Sequence, residues 1–145
     1  MIESRLIPLD SVQPLLHRRR KWFSMDQPRQ LAEVRLALPD GGELVAASMH
    51  LSFRKQSGLG QAEQAGAAVG RGLNMVPVLV GADLNSTSNI TAWPTLANAP
   101  TFPAAEPTRA IDWILGDGEP VGEPEVVRLA ISDHRSLVAQ VRVGA

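Results

Sequence analysis

The stretch Val76-Pro77-Val78-Leu79-Val80-Gly81-Ala82-Asp83-Leu84-Asn85 constrains the fold of this chain more than any other. Its first five residues are apolar and mostly β-branched, which predicts a strand buried on both faces. The run ends in Gly81, Asp83 and Asn85, so a carboxylate and a carboxamide stand where a rigid element stops. Polar groups held that way suit a metal or phosphate site. They equally suit an ordinary turn, because Asp, Asn and Gly favour turns for their own local reasons. The flanking sequence has to decide between the two.

Residues 1–10 predict a short strand, with Pro8 marking its end or an edge position. Leu31, Val34, Leu36 and Leu38 form an apolar series that stops at Pro39-Asp40-Gly41-Gly42, a strong turn signal. Leu44 to Met49 reads as the return strand of a β-hairpin that delivers His50 at its end. A polar loop is expected from Ser52 to Gly60, holding Arg54 and Lys55. A helix follows over Gln61 to Leu73, with Ala62, Ala65, Val69 and Leu73 at helical spacing and Gly72 and Asn74 as its stop.

Beyond Asn85 the sequence predicts a polar loop, one helical turn at Trp93 to Ala97 and a Pro-rich loop through Pro100, Pro103 and Pro107. Ile111-Asp112-Trp113-Ile114-Leu115 is a further strand whose central acid needs a partner, because an unpaired buried carboxylate is costly. Gly116 to Pro124 reads as a turn-rich loop. Val126 to Ile131 is a strand ending in Ser132-Asp133-His134, and Leu137 to Val143 is the last strand. Hairpin, helix and strand in this order give a layered α/β architecture.

Composition narrows the function classes. A length of 145 residues with 44% hydrophobic content fits one domain. With 14 basic and 15 acidic residues the net charge is −1, so no global field draws in nucleic acid or membrane. The local run His17-Arg18-Arg19-Arg20-Lys21, followed by Trp22 and Phe23, has two readings. It is a phosphate-backbone contact with a stacking aromatic beside it, or a solvated loop. The absence of cysteine excludes disulfides, thiolate metal sites and a cysteine nucleophile. No apolar run approaches the roughly 20 residues that span a bilayer. The N-terminal MIESRLIPLD carries Glu3 and Asp10 and no apolar h-region, so a soluble, cytoplasmic protein is expected.

His50, Asp83 with Asn85, Asp112, and Asp133 with His134 therefore lie on or at the ends of separate strands. Together they match the needs of metal-assisted phosphoryl hydrolysis. Hard carboxylate oxygens bind Mg²⁺, an amide orients water, and imidazoles address phosphate or move protons.

Gly-Ala-Asp-Leu-Asn at 81–85, Ile-Asp-Trp-Ile-Leu at 111–115, Ser-Asp-His at 132–134 and Met-His-Leu at 49–51 resemble the endonuclease/exonuclease/phosphatase superfamily. The resemblance implies part of a four-layer α/β-sandwich, with mixed and antiparallel strands and one main helix. It implies hydrolysis of a phosphodiester or phosphomonoester, as by a nuclease, with Mg²⁺ as cofactor and Mn²⁺ as the alternative ion. By the same resemblance Asp83 positions or deprotonates the attacking water, and Asn85 orients the water and the scissile phosphate. Asp133 is a metal-side carboxylate. His134 contacts the phosphate and is kept cationic by Asp112, and His50 stabilises the charge of the transition state. His50, Asn85 and His134 are the phosphate-binding set, and either Asp83 or His134 serves as the base.

Ser4-Arg5-Leu6-Ile7-Pro8-Leu9 resembles a mid-domain stretch of the family. One N-terminally truncated domain over residues 1–145 is therefore expected, without the family's early Asn and metal-binding Glu. Neither Glu3 nor Glu33 is in the context of that ligand. Half of a sandwich implies an exposed apolar face and self-association. The expected partner is a phosphate ester, whether DNA, nucleotide, lipid or inositol phosphate. The alternative is a non-catalytic remnant that binds phosphorylated ligands or a protein partner.

Overall fold

The computed structural model describes residues 3–10, 15–16, 23–24, 27–70 and 76–144. The basic run at 17–21, the aromatics Trp22 and Phe23 as side chains, and the expected helix stop at Gly72 and Asn74 lie outside what is described. The elements in chain order are β1 (Glu3–Leu9), β2 (Leu15–Leu16), β3 (Phe23–Ser24), β4 (Arg29–Ala37), β5 (Glu43–His50), α1 (Lys55–Ala68), β6 (Val78–Asp83), β7 (Thr95–Asn98), β8 (Asp112–Gly116), β9 (Glu119–Arg128) and β10 (Arg135–Arg142). Six strands form one mixed sheet in the order β1-β4-β5-β6-β8-β7, and β9 with β10 forms a separate hairpin. The result is the mixed α/β class expected.

The β4–β5 hairpin forms as its apolar alternation and turn residues predict. Leu38 N–H donates to Gly42 O at 2.8 Å and Gly41 N–H to Leu38 O at 3.1 Å, closing the turn. From β5 the chain crosses through α1 and returns as β6, parallel to β5. Such a crossover needs a connection long enough to run back over the sheet, and α1 supplies it. Among the described residues β1 is an edge strand, a position that tolerates Pro8.

One face of the sheet carries the core. Leu31, Val45, Met49, Val80, Ala82, Trp113 and Leu115 are buried there, against Ala62 and Ala65 of α1. The helix begins at Lys55, inside the segment whose glycines read as loop. Gly58 explains the discrepancy, since a Cβ there would lie 2.8 Å from the Ser52 carbonyl oxygen. It marks a close approach of helix to chain rather than a break.

Among the described residues the opposite face is less covered, with Leu79 and Ile114 half-buried on it, so β6 alternates instead of being buried on both sides. Gly81 is exposed between Val80 and Ala82, and Leu6 on the same face is 68% exposed. Two further elements differ from expectation. Residues 95–98 form strand β7, and 119–128 form β9 despite Pro120, Gly122 and Pro124. Those residues read as turns, but a two-stranded hairpin leaves one edge of β9 unpaired, where proline costs no ladder bond.

Glu33 is buried among these core residues at 5% exposure, and both its oxygens are engaged. Arg5 Nε donates to Oε1 at 2.7 Å and Gly70 N–H to Oε2 at 2.9 Å, while Arg5 Nη2 reaches Ala68 O at 2.8 Å. The carboxylate therefore ties the end of α1 to β1 and β4 instead of facing a ligand. Removing the arginine strands a buried charge. Arg5→Ala is expected to cost about 2 kcal/mol, discounted for the partly exposed arginine, and Glu33→Gln less. Urea midpoints in the reverse order would contradict this account.

Candidate active site

Strand register assembles the centre of the site. His50 on β5 lies opposite Asp83 on β6, and Asp83 lies opposite Asp112 on β8. Directly paired residues share a face of a sheet, so the three side chains form one row across adjacent strands. Because Met49, Ala82 and Trp113 next to them point into the core, the row must project on the less covered face.

Asn85 is placed by a turn. Its backbone has φ +50°, a left-handed conformation that Asn tolerates, and its N–H donates to Asp83 Oδ1 at 2.8 Å. Its Nδ2 donates to Leu51 O at 3.0 Å and lies 3.1 Å from His50 Nε2. The two readings of residues 81–85 are thus one object, because the turn chemistry itself fixes the carboxamide beside the imidazole.

His134 arrives from the segment before β10. Ala104 N–H donates to Asp133 O at 2.7 Å and Arg135 N–H to Thr101 O at 2.9 Å, fastening that segment to the loop after β7. His134 Nδ1 meets Asp112 Oδ2 at 2.8 Å, and the buried Thr101 hydroxyl donates to the same oxygen. The acid inside the apolar strand has the partners it requires. The Phe102 ring packs on the imidazole with centroids 4.8 Å apart. His50 Nε2 is 3.3 Å and His134 Nε2 3.9 Å from Asp83 Oδ2, so one carboxylate oxygen stands near both imidazoles.

Burial of His134 works against its cation, but the Asp112 hydrogen bond and the charges of Asp112, Asp83 and Asp133 work for it. The net result raises its pKa above the ordinary 6.5.

The cleft over these groups has a volume of about 430 Å³ and is bordered by Asp133, Arg29, Arg54 and Arg109 besides the site residues. Of the nominated catalytic and metal residues, His50, Asp83, Asn85, Asp133 and His134 border it, and Asp112 contacts His134. Thr101, Phe102 and Arg109 were not legible, since nothing marks them within a Pro-rich loop. Arg29 gave no signal either, as an arginine opening a strand.

Asp83, Asp112 and His134 each offer a ligand atom within 4.8 Å of the others. Asp112 Oδ2 is already committed to His134 and Thr101, which favours a hydrogen-bonded relay over a closed cage. Mg²⁺ commonly takes one or two carboxylates and completes its shell with water and substrate phosphate. The carboxylates of Asp83 and Asp133, both on the cleft, fit that requirement. Asp133 itself lies outside the compact three-residue group.

No protein-family model matches the sequence, and no curated protein matches it. Solved structures do. An endonuclease/exonuclease/phosphatase from Beutenbergia cavernae superposes with a TM-score of 0.69 at 18% identity, covering 99% of this chain and 45% of its own. A conserved protein of unknown function from Enterococcus faecalis gives 0.71 at 16% identity, covering 99% of this chain and 66% of its own. A mannosyl-6-phosphatase from Bacteroides thetaiotaomicron gives 0.60 at 16%, covering 97% and 66%. The chain has the fold of the endonuclease/exonuclease/phosphatase structures, as the resemblance in its motifs implied, and it spans between about half and two thirds of their length.

A raised histidine pKa has a definite sign. The stability that His134 contributes is full below about pH 6.5 and is lost as pH rises through the raised value. In NMR titration of the metal-free protein, His134 should titrate above 6.5, and Asp112→Asn should bring its midpoint down. An unmoved midpoint would show that Asp112 does not hold the cation.

Proposed function

We propose that this chain carries a metal-dependent phosphoesterase site, hydrolysing a phosphodiester or phosphomonoester. The observation that carries the reading is the convergence of His50, Asp83, Asn85 and the Asp112–His134 pair on one cleft at the end of the sheet.

In this reading the scissile phosphate lies against Asn85, His50 and His134. The Asp112 contact favours the charged form of His134, which suits it to be the electrostatic partner of the phosphate. Asp83 is then the group that positions the attacking water and accepts its proton. The water oxygen bonds to phosphorus, the ester P–O bond breaks, and the leaving oxygen takes a proton from solvent. Asp133 would hold Mg²⁺ or Mn²⁺, which when bound neutralises charge on the phosphoryl oxygens, while Asp83 takes the proton.

The reading extends to organisation. It treats residues 1–145 as one domain and the less covered sheet face, with Leu6 on it, as the surface for self-association. It places the protein in the cytoplasm. Among the described residues no helix is long and apolar enough to cross a membrane.

Hydrolysis of bis(p-nitrophenyl) phosphate should require Mg²⁺ or Mn²⁺ and fall at least about a hundredfold in Asp83→Asn and His134→Ala, the scale on which such groups act. Circular dichroism of both variants should stay native. Equal turnover in wild type and variants would reject the site. Affinity for inorganic phosphate without any turnover would instead favour the non-catalytic binder.

A further inference from the structure

Phe53 is the side chain that the proposed hydrolysis leaves unexplained. It is 67% exposed, with the Arg54 guanidinium 5.9 Å from its ring centroid on one face, and its backbone is held on both sides. Ser52 N–H donates to the buried Gln61 Oε1 at 2.8 Å, and Arg54 N–H donates to Ser52 Oγ at 3.0 Å. The ring is therefore presented to solvent by a fixed loop, which forgoes the stabilisation that burying it would give.

Its surroundings say what it could meet. Phe53, Asn85 and Arg109 border both the catalytic cleft and a second cavity of about 430 Å³ next to it. Leu59, Leu84 and Ile90 give the second cavity an apolar side. Its charged lining residues are Lys55 and Arg109, with no carboxylate among them. A ligand suited to both cavities carries the scissile phosphate, then a flat apolar group, then further negative charge.

Resting on the phosphoesterase reading, we propose that the second cavity is a substrate subsite and that the substrate is a nucleotide bearing a second phosphate. The base stacks on Phe53 over the apolar side, and the second phosphate lies at Lys55 and Arg109. An aromatic platform beside cations is how single nucleotides are held without a sequence code. An inositol phosphate has no flat apolar face and would leave Phe53, Leu59 and Ile90 against water. A lipid with a single headgroup phosphate has no second anion for Lys55 and Arg109, and a polyphosphorylated one brings a flexible chain and not a flat ring to Phe53.

The test is calorimetric titration of the full chain, at fixed ionic strength, with adenosine 3′,5′-bisphosphate, inositol 1,4,5-trisphosphate and inorganic phosphate. The nucleotide should bind most tightly of the three. Phe53→Ala should cut its preference over inorganic phosphate by roughly tenfold, within the range of base–aromatic stacking, and Phe53→Tyr should keep it. Lys55→Gln should weaken the bisphosphate about threefold relative to adenosine monophosphate. An unchanged preference in Phe53→Ala, or tighter binding of the inositol phosphate, would overturn the proposal. Inorganic phosphate binding that falls in Asn85→Ala upholds the phosphate site even then. Absence of binding by every probe sinks both readings.

Discussion

Lateral register across β5, β6 and β8 is the constraint on which the rest of this structure depends. The pairs His50–Asp83 and Asp83–Asp112 exist because each strand stops or starts at one particular residue relative to its neighbour. A slip of one residue in any of the three would turn its polar group into the core and a core residue out to solvent. Burial of Met49, Val80, Ala82 and Trp113 against α1 penalises that slip, so the apolar face fixes the geometry of the polar one. Gly116 pins the far end of β8. At its φ of +127°, a Cβ would lie 2.0 Å from the Val78 carbonyl oxygen, so the strand turns away there or nowhere.

Charge is arranged on this frame as a chain and not as a cage. Thr101 and His134 converge on one oxygen of Asp112, and His134 then offers its other nitrogen toward Asp83. The carboxylate in an apolar strand thus meets a donor on each side, which makes its partial burial tolerable. The same arrangement divides labour between two acids. Asp112 spends its charge on an imidazole, while Asp83 keeps an oxygen directed at the cleft between two imidazoles. Local basic groups complete the picture. Arg29, Arg54 and Arg109 gather at a cleft on a molecule whose net charge is only −1. A whole-chain charge averages that concentration away, so it carries little information about what the site attracts.

The parts legible in the sequence were those written in short-range chemistry. Turn residues at 39–42 gave the β4–β5 hairpin, polar residues ending apolar runs gave His50, Asp83, Asn85 and His134, and Asp112 stood out as an acid within an apolar run. What failed was long-range context. The run 76–80 reads as doubly buried because composition cannot report that the second face of its sheet is less covered. The glycines of 58–60 read as loop because close packing of α1 against Ser52 is invisible locally. Pro120 and Pro124 read as turns because the edge position that tolerates them is a property of the hairpin. Thr101 and Phe102 lie more than 30 residues from His134 in the chain and meet it only through folding.

That separation has a structural consequence. Three of the site residues come from one continuous sheet, whereas His134 is carried by the connection between β9 and β10. The hairpin is hydrogen-bonded as a sheet only to itself. Among the described residues, the seam that fastens it beside the site includes Ala104 with Asp133, Thr101 with Arg135, Arg135 Nε with Ala104 O at 2.9 Å and Arg135 Nη2 with Ala105 O at 3.2 Å, and β10 also packs against β7 and β8. Exposed Ile131, at the turn just before the site, adds little burial to hold it. The stability of the sheet and the integrity of the site are therefore separate quantities. Loss of the seam would release His134 and leave Asp112 with the Thr101 hydroxyl, while the core against α1 stays intact. The Asp112–His134 contact consequently does two things at once, setting the charge of the imidazole and closing the hairpin onto the sheet.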